Sequence, residues 1–187
     1  MADTATKLLD EAQLLVQERG FNAFSYKDLA ERIGIRTASI HYHFQAKADL
    51  GVALMERYHE GLEEALSALD AAGGSARERL RGFIGLYRTT ERRGAVCLCG
   101  SLASDRETLP PALQDRVAAY LERSQAWVAA TLRDGVRKGE FALTGAPKDA
   151  AALLVAGLQG GLVLARAQGG SLLKRVERTF FALLTDC

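Results

Sequence analysis

The sequence predicts an all-α protein of nine helices, and three observations carry that expectation. Of its 187 residues 48 % are hydrophobic and 25 % charged, an ordinary globular balance with enough apolar material for a core. Ala, Leu, Arg and Glu dominate throughout, and these residues lose little in a helix. Prolines are confined to Pro110, Pro111 and Pro147, and with the glycines they punctuate long segments whose apolar residues recur at steps of three and four.

The first helix is read over residues 4 to 19, where Leu8, Leu9, Ala12, Leu15 and Val16 form one stripe that closes at Gly20. Ser25, with Asp28 three residues on, opens a short second helix through Leu29, Ala30 and Ile33, stopped by Gly34. A third covers about 37 to 43, carries Ile40 inward and runs to Phe44. From Ala46 a long fourth helix shows Leu50, Leu54, Tyr58, Leu62, Leu66 and Leu69 before Gly73-Gly74. Its length of about 39 Å suits it to carry a signal along the molecule. Further helices are expected at 75–91, 96–105, 110–138, 148–168 and 171–185. The expected division is a head over 1–50 and a body over 51–187.

Charge and cysteine content exclude several classes. Lys and Arg number 24 against 23 Asp and Glu, a formal charge of +1, so a basic coat over the whole surface is ruled out and any electrostatic footprint is local. No run reaches the ~18 uninterrupted apolar residues of a membrane helix, and the N-terminal MADTATKLLDEAQ is acidic and amphipathic rather than a signal peptide. The expected place is the cytoplasm, with no membrane partner. Cys97, Cys99 and Cys187 are too few for a disulfide framework and form no CxxC pattern. No metal and no cofactor is expected.

Residues 25–50, SYKDLAERIGIRTASIHYHFQAKADL, are the informative stretch. Ala30 lets two helices approach, Gly34 makes a turn, and Ile40 locks a second helix, the spacing of a helix-turn-helix. Thr37, Ser39, His41, Tyr42 and His43 give that second helix no aliphatic face beyond Ile40 and Phe44, so it is presented outward. Between Glu31 and Asp49 seventeen residues carry no carboxylate, yet hold Arg32, Arg36 and Lys47 with His41 and His43. That patch can face phosphate. His41 and His43 point roughly 200° apart on a helix and do not converge on a metal ion.

On these residues the chain resembles the tetracycline-repressor family of bacterial transcription regulators, most closely over residues 6–55, in FNAFSYKDLAERIGI and IHYHFQAKADL. The resemblance implies a nine-helix fold with a helix-turn-helix DNA-binding head and a ligand-binding, dimerising body. It implies a homodimeric DNA-binding regulator, most often a repressor that leaves a palindromic operator when an effector binds. By position, Ser25 and Tyr26 match phosphate contacts at a helix start. Ser39 and His43 match further phosphate contacts, and Lys47 the lysine that opens helix four and grips the DNA backbone. Arg36, Thr37, Ala38 and Tyr42 are left as base readers in the major groove. Arg36, Thr37 and Ala38 depart from the family's commoner residues, which bears on operator sequence.

Residues 151–168, AALLVAGLQGGLVLARAQ, are apolar on nearly every face, so this helix must be buried. Leu154, Leu158, Gly161 and Leu162, with Leu173, Val176 and Phe180 of the last helix, are the expected seam of a homodimer; a core helix of a monomer is the alternative. Phe83, Leu86, Tyr87, Tyr120 and Trp127 lie on middle helices where the family encloses an effector, though aromatic residues at this spacing also make plain core. Cys97 and Cys99, with Arg92, Arg93 and Arg106 near in sequence, resemble the family's electrophile-sensing branch; the other reading is two small buried hydrophobes. The effector is expected to be a small molecule or a thiol reagent. An enzyme is not expected, since HExxH, GxSxG and a phosphate loop are missing.

Overall fold

The structure, a computed structural model, describes residues 4–185, so Cys187 lies outside the described residues. Among these, nine α-helices follow in order: α1 Thr4–Arg19, α2 Tyr26–Ile33, α3 Thr37–His43, α4 Lys47–Ala71, α5 Ala76–Arg92, α6 Leu98–Ser104, α7 Pro111–Arg137, α8 Pro147–Gln168 and α9 Leu173–Ala182. A 3₁₀ turn, Arg106–Thr108, precedes α7. The last helix was expected to reach 185 and stops at Ala182. The chain beyond it pairs antiparallel instead, Ala142–Leu143 (β1) with Leu184–Thr185 (β2), which buries Leu184.

Two compact units are present, and their boundary is not at residue 50. The first joins the chain through Gly61 to Leu98–Tyr120, and the second joins Leu62–Cys97 to the chain from Leu121 onward. The reason lies in the stripe of α1. Leu8, Ala12, Leu15 and Val16 are all buried, and α2 and α3 are too short to cover them, so α6 packs on α1 as well. Ser101 of α6 donates to the Val16 carbonyl at 2.8 Å. Arg57 of α4 donates to Asp10 at 2.7 Å and to Gln13 at 3.3 Å, which fixes α4 along α1. Leu29, Ile40, Leu50, Leu54 and Met55 complete this core, each fully buried side chain contributing about 1.5–3 kcal/mol.

In the second unit, Ser75 and Glu78 close a capping box at the start of α5. Arg79 reaches Asp134 at 2.5 Å and Asp70 at 3.3 Å, and Arg123 grips Glu63 through two bonds of 2.6 and 2.9 Å. Helix α8 packs on α5 and α9. Its close approach to α9 depends on Gly161, where an added Cβ would lie 2.8 Å from Leu173. By length and composition α8 is apolar enough to cross a membrane, with a mean hydropathy of 1.6 over its best window. Leu154, Val155, Leu158 and Leu162 are spent on packing within the chain.

Candidate nucleic-acid interface

The helix-turn-helix is built by local rules. Ser25 caps α2: its hydroxyl accepts from the Asp28 amide while the Asp28 carboxylate accepts from the Ser25 amide at 2.7 Å. Gly34, at φ +75°, ends α2 in the left-handed conformation, and its amide donates to the Ala30 carbonyl at 2.9 Å. Helix α3 then rests on one fully buried side chain, Ile40, while Arg36, Thr37, Ala38, Ser39, His41 and Tyr42 are exposed. Tyr42 is 86 % exposed. An aromatic of that size kept in water by a helix with its anchor elsewhere is a presented group.

Three residues expected at phosphates also have partners within the head. Tyr26 is buried, and its hydroxyl donates to the Phe44 carbonyl at 3.0 Å. Burial, with the Asp49 charge adding to it, pushes its pKa up to about 12, so it is a neutral post between α2 and the end of α3. The Ser25 hydroxyl donates to Asp28 at 2.5 Å, so a carboxylate already occupies the anion position at the start of α2. Those hydrogen bonds from Ser25 hold the Asp28 carboxyl below the usual carboxylate range. Lys47 is half-buried. Its ammonium donates to the Phe21 carbonyl at 2.5 Å and to that of Phe24, and lies 4.7 and 4.1 Å from the two rings. Desolvation holds its pKa below the ordinary lysine value, against the opposing pull of Asp105 and Asp28. Arg32, counted in the basic window, pairs with Glu18 at 2.6 Å and Glu11 at 3.5 Å. What remains outward is α3 itself with Arg36 at its start; His43 is half-buried, edge-on to Tyr42 at 5.2 Å.

A residue that sequence reasoning missed completes the head. The Asp105 carboxylate accepts from the amides of Phe21, at 2.8 Å, and Asn22, at 3.3 Å. Asn22 donates in turn to Thr108 at 2.7 Å. Asp105 on one side and Lys47 on the other therefore fix the turn that delivers α2. Replacing Asp105 by Ala leaves the part-buried Phe21 amide without its acceptor and the exposed Asn22 amide to water, and the expected loss is about 1–3 kcal/mol, read as a lower urea midpoint; an unchanged midpoint would leave the turn held by Lys47 alone.

The expected seam residues lie inside the chain. Leu154, Leu158, Gly161, Leu162, Leu173 and Phe180 are buried and Val176 is half-buried, because α8 and α9 pack on each other and on α5. The apolar residues of α8 left in water are Leu153 at 56 %, Val163 at 54 % and Leu164 at 44 %. Ala156, Gly160 and Ala167 share that exposure, and Gly160 has open space where a Cβ would stand.

The expected effector residues fall in both units. Phe83 stacks on Trp127 at 5.6 Å and meets Tyr87, and all three are buried, with Trp127 donating to Asp70 at 3.0 Å and Leu86 half-buried. Tyr120 stacks on Tyr58 at 5.0 Å in the first unit. Cys97 and Cys99 are both buried, and Cys99 touches the Met55 sulfur at 3.9 Å. Arg92 donates to Thr89 and Arg106 pairs with Glu107.

Comparison with known proteins covers nearly the whole chain. Residues 8–54 match the family model of bacterial regulatory proteins, tetR family, and residues 76–180 match that of the tetracyclin repressor-like C-terminal domain. The transcriptional regulator AcuR of Cereibacter sphaeroides is 27 % identical over 157 residues, 81 % of this chain and 71 % of that protein. The transcriptional repressor KstR2 of Rhodococcus jostii is 25 % identical over 141 residues, 73 % of this chain and 67 % of that one. A TetR-family regulator from Agrobacterium tumefaciens, known as a crystal structure, superposes with a TM-score of 0.92 at 31 % identity, covering 97 % of both chains.

Proposed function

Because the chain belongs to the tetracycline-repressor family of DNA-binding transcription regulators, we propose that it acts as a homodimeric repressor that reads a palindromic operator with α3 and leaves it when an effector binds. The observation that carries this reading is Tyr42, 86 % exposed on a short polar helix whose one buried residue is Ile40. Arg36, Thr37, Ala38 and Tyr42 face base edges in the major groove, while Ser39, His41 and His43 meet phosphates. Ser25, Tyr26 and Lys47 contribute by shaping the head. Since Tyr42 supports no core, Tyr42→Ala is expected to leave the melting temperature unchanged and to cut discrimination between operator and mismatched duplex about tenfold. Competition binding with the two duplexes checks this, and equal weakening on both would assign Tyr42 to phosphate.

The exposed apolar stripe of α8 supports the dimer. Two copies related by a twofold axis bury Leu153, Val163 and Leu164 against each other, with Gly160 allowing close approach. Such a pair presents two α3 helices to half-sites one DNA turn, or a multiple, apart. Effector release follows as a population shift toward a body conformation that mismatches those grooves. With both described thiols buried, a small molecule is favoured over thiol modification as effector, and it acts in the cytoplasm where the nucleoid lies. A thermal-shift screen finds such a ligand; N-ethylmaleimide releasing DNA from the wild type but not from a Cys97→Ser, Cys99→Ser variant would return the role to the thiols.

A further inference from the structure

We propose that Asp105 is a positioning residue for DNA binding: from outside the helix-turn-helix it holds the turn between α1 and α2 in the form that presents α3 to the operator. The inference rests on the DNA-binding reading above and extends the binding machinery beyond the matched head, residues 8–54. The Asp105 carboxylate accepts from the amides of Phe21 at 2.8 Å and Asn22 at 3.3 Å. These are charge-assisted bonds to turn backbone, which has no helix partner of its own. The approach is close as well: Gly20 passes through the turn at φ +92°, and a Cβ added to it would stand 3.4 Å from a carboxylate oxygen of Asp105.

Phe21 is the node through which the effect travels. Asp105 holds its amide, its carbonyl accepts from the Lys47 ammonium at the start of α4 at 2.5 Å, and its ring lies against Gly51, where an added Cβ would come within 3.0 Å of it. Phe24, whose carbonyl and ring also meet Lys47, leads into the capped start of α2. From α2 the position passes to α3, since the Tyr26 hydroxyl donates to the Phe44 carbonyl at the end of that helix. Asp105 itself stands on a braced support. Thr108 donates to the Asp105 carbonyl at 2.7 Å while accepting from Asn22. Gln114 of α7 donates to the Arg106 and Leu109 carbonyls at 3.1 and 2.8 Å, and Ser101 ties α6 to α1. A carboxylate whose own place is fixed in this way sets geometry as well as stability.

Charge and position act in opposite senses here, so they can be read apart. A carboxylate on a DNA-binding unit repels phosphate, and a role through charge alone means that its removal tightens binding. A positioning role means the reverse, because a freed turn has to be ordered again when DNA binds. The test uses the full chain and a duplex that the wild type selects from a randomised pool, at a temperature where circular dichroism shows each variant folded. Asp105→Ala is expected to bind about tenfold more weakly with an unchanged salt slope, since no phosphate contact is lost, and amide exchange is expected to quicken at Phe21 and Asn22. Asp105→Asn keeps an oxygen acceptor and sheds the charge, and it is expected to recover most of the affinity. An Asp105→Ala variant that binds as tightly as the wild type or tighter, or an Asp105→Asn variant that falls as far as Asp105→Ala, overturns the proposal. If Asp105→Ala does not fold, Thr108→Val takes its place: it loses the Asn22 bond at nearly constant shape, weaker binding is expected, and unchanged affinity overturns the proposal. A wild type that selects no duplex is a different result, which removes the DNA-binding reading itself.

Discussion

Leu153→Glu is expected to split the dimer and abolish operator binding at protein concentrations where the wild type is bound, with each protomer still folded. Leu153 is the most exposed of the large apolar residues on α8, so a carboxylate there costs the isolated chain little. In a twofold seam the substitution occurs twice, and it places two like charges among Val163, Leu164 and their symmetry mates. Burying a carboxylate without a partner costs several kcal/mol, so the dimer dissociation constant should rise about a hundredfold or more. Sedimentation equilibrium reads this directly. Leu158→Ala makes the contrast, since Leu158 is fully buried within the chain and its truncation should lower folding stability by about 2–5 kcal/mol. If Leu153→Glu stays dimeric and still binds DNA, α8 is not the seam.

Lys47→Ala is expected to destabilise the head and weaken DNA binding without changing the salt slope. The ammonium donates to two carbonyls and sits over two aromatic rings; removing it leaves two part-buried acceptors unmet and frees the turn before α2, a loss of about 2–4 kcal/mol. A lysine that gripped DNA would behave otherwise. Its loss would leave folding stability nearly intact and reduce the slope of log affinity against log salt by about 0.9 per protomer. Urea titration and salt-dependent binding of the same variant therefore separate the two roles, and an unchanged urea midpoint with a reduced slope would return Lys47 to the phosphate backbone.

How far the sequence could be read depended on the range of the interaction concerned. The helix-turn-helix was legible because its determinants are local: the Ser25–Asp28 box, the left-handed Gly34 and the buried Ile40 lie within sixteen residues. Helix α8 was legible as a helix but not in phase. A segment with no polar side offers no signal of which face meets its own chain: Leu154, Leu158 and Leu162, expected at a homodimer seam or in a monomer core, are buried within the chain, and Leu153, Val163 and Leu164 are exposed. Position in the sequence places Lys47 and Tyr26 at phosphates, and it does not reveal what they touch within the head. Their partners are the backbone carbonyls of Phe21, Phe24 and Phe44, which no side-chain pattern marks. Asp105 was invisible for a further reason, since its partner Phe21 is 84 residues away and a lone aspartate in a turn has an ordinary local use. The β1–β2 pair, two residues on each side, is too short to show an alternation.

The central claim is that two copies of this chain read one symmetric DNA site through α3. Selection from a randomised duplex pool, followed by determination of how many chains each selected duplex holds, tests it most directly. The account predicts an enriched inverted repeat with half-sites one helical turn apart or a multiple, occupied by an even number of chains. Enrichment of no sequence, or of a single half-site held by one chain, would contradict it.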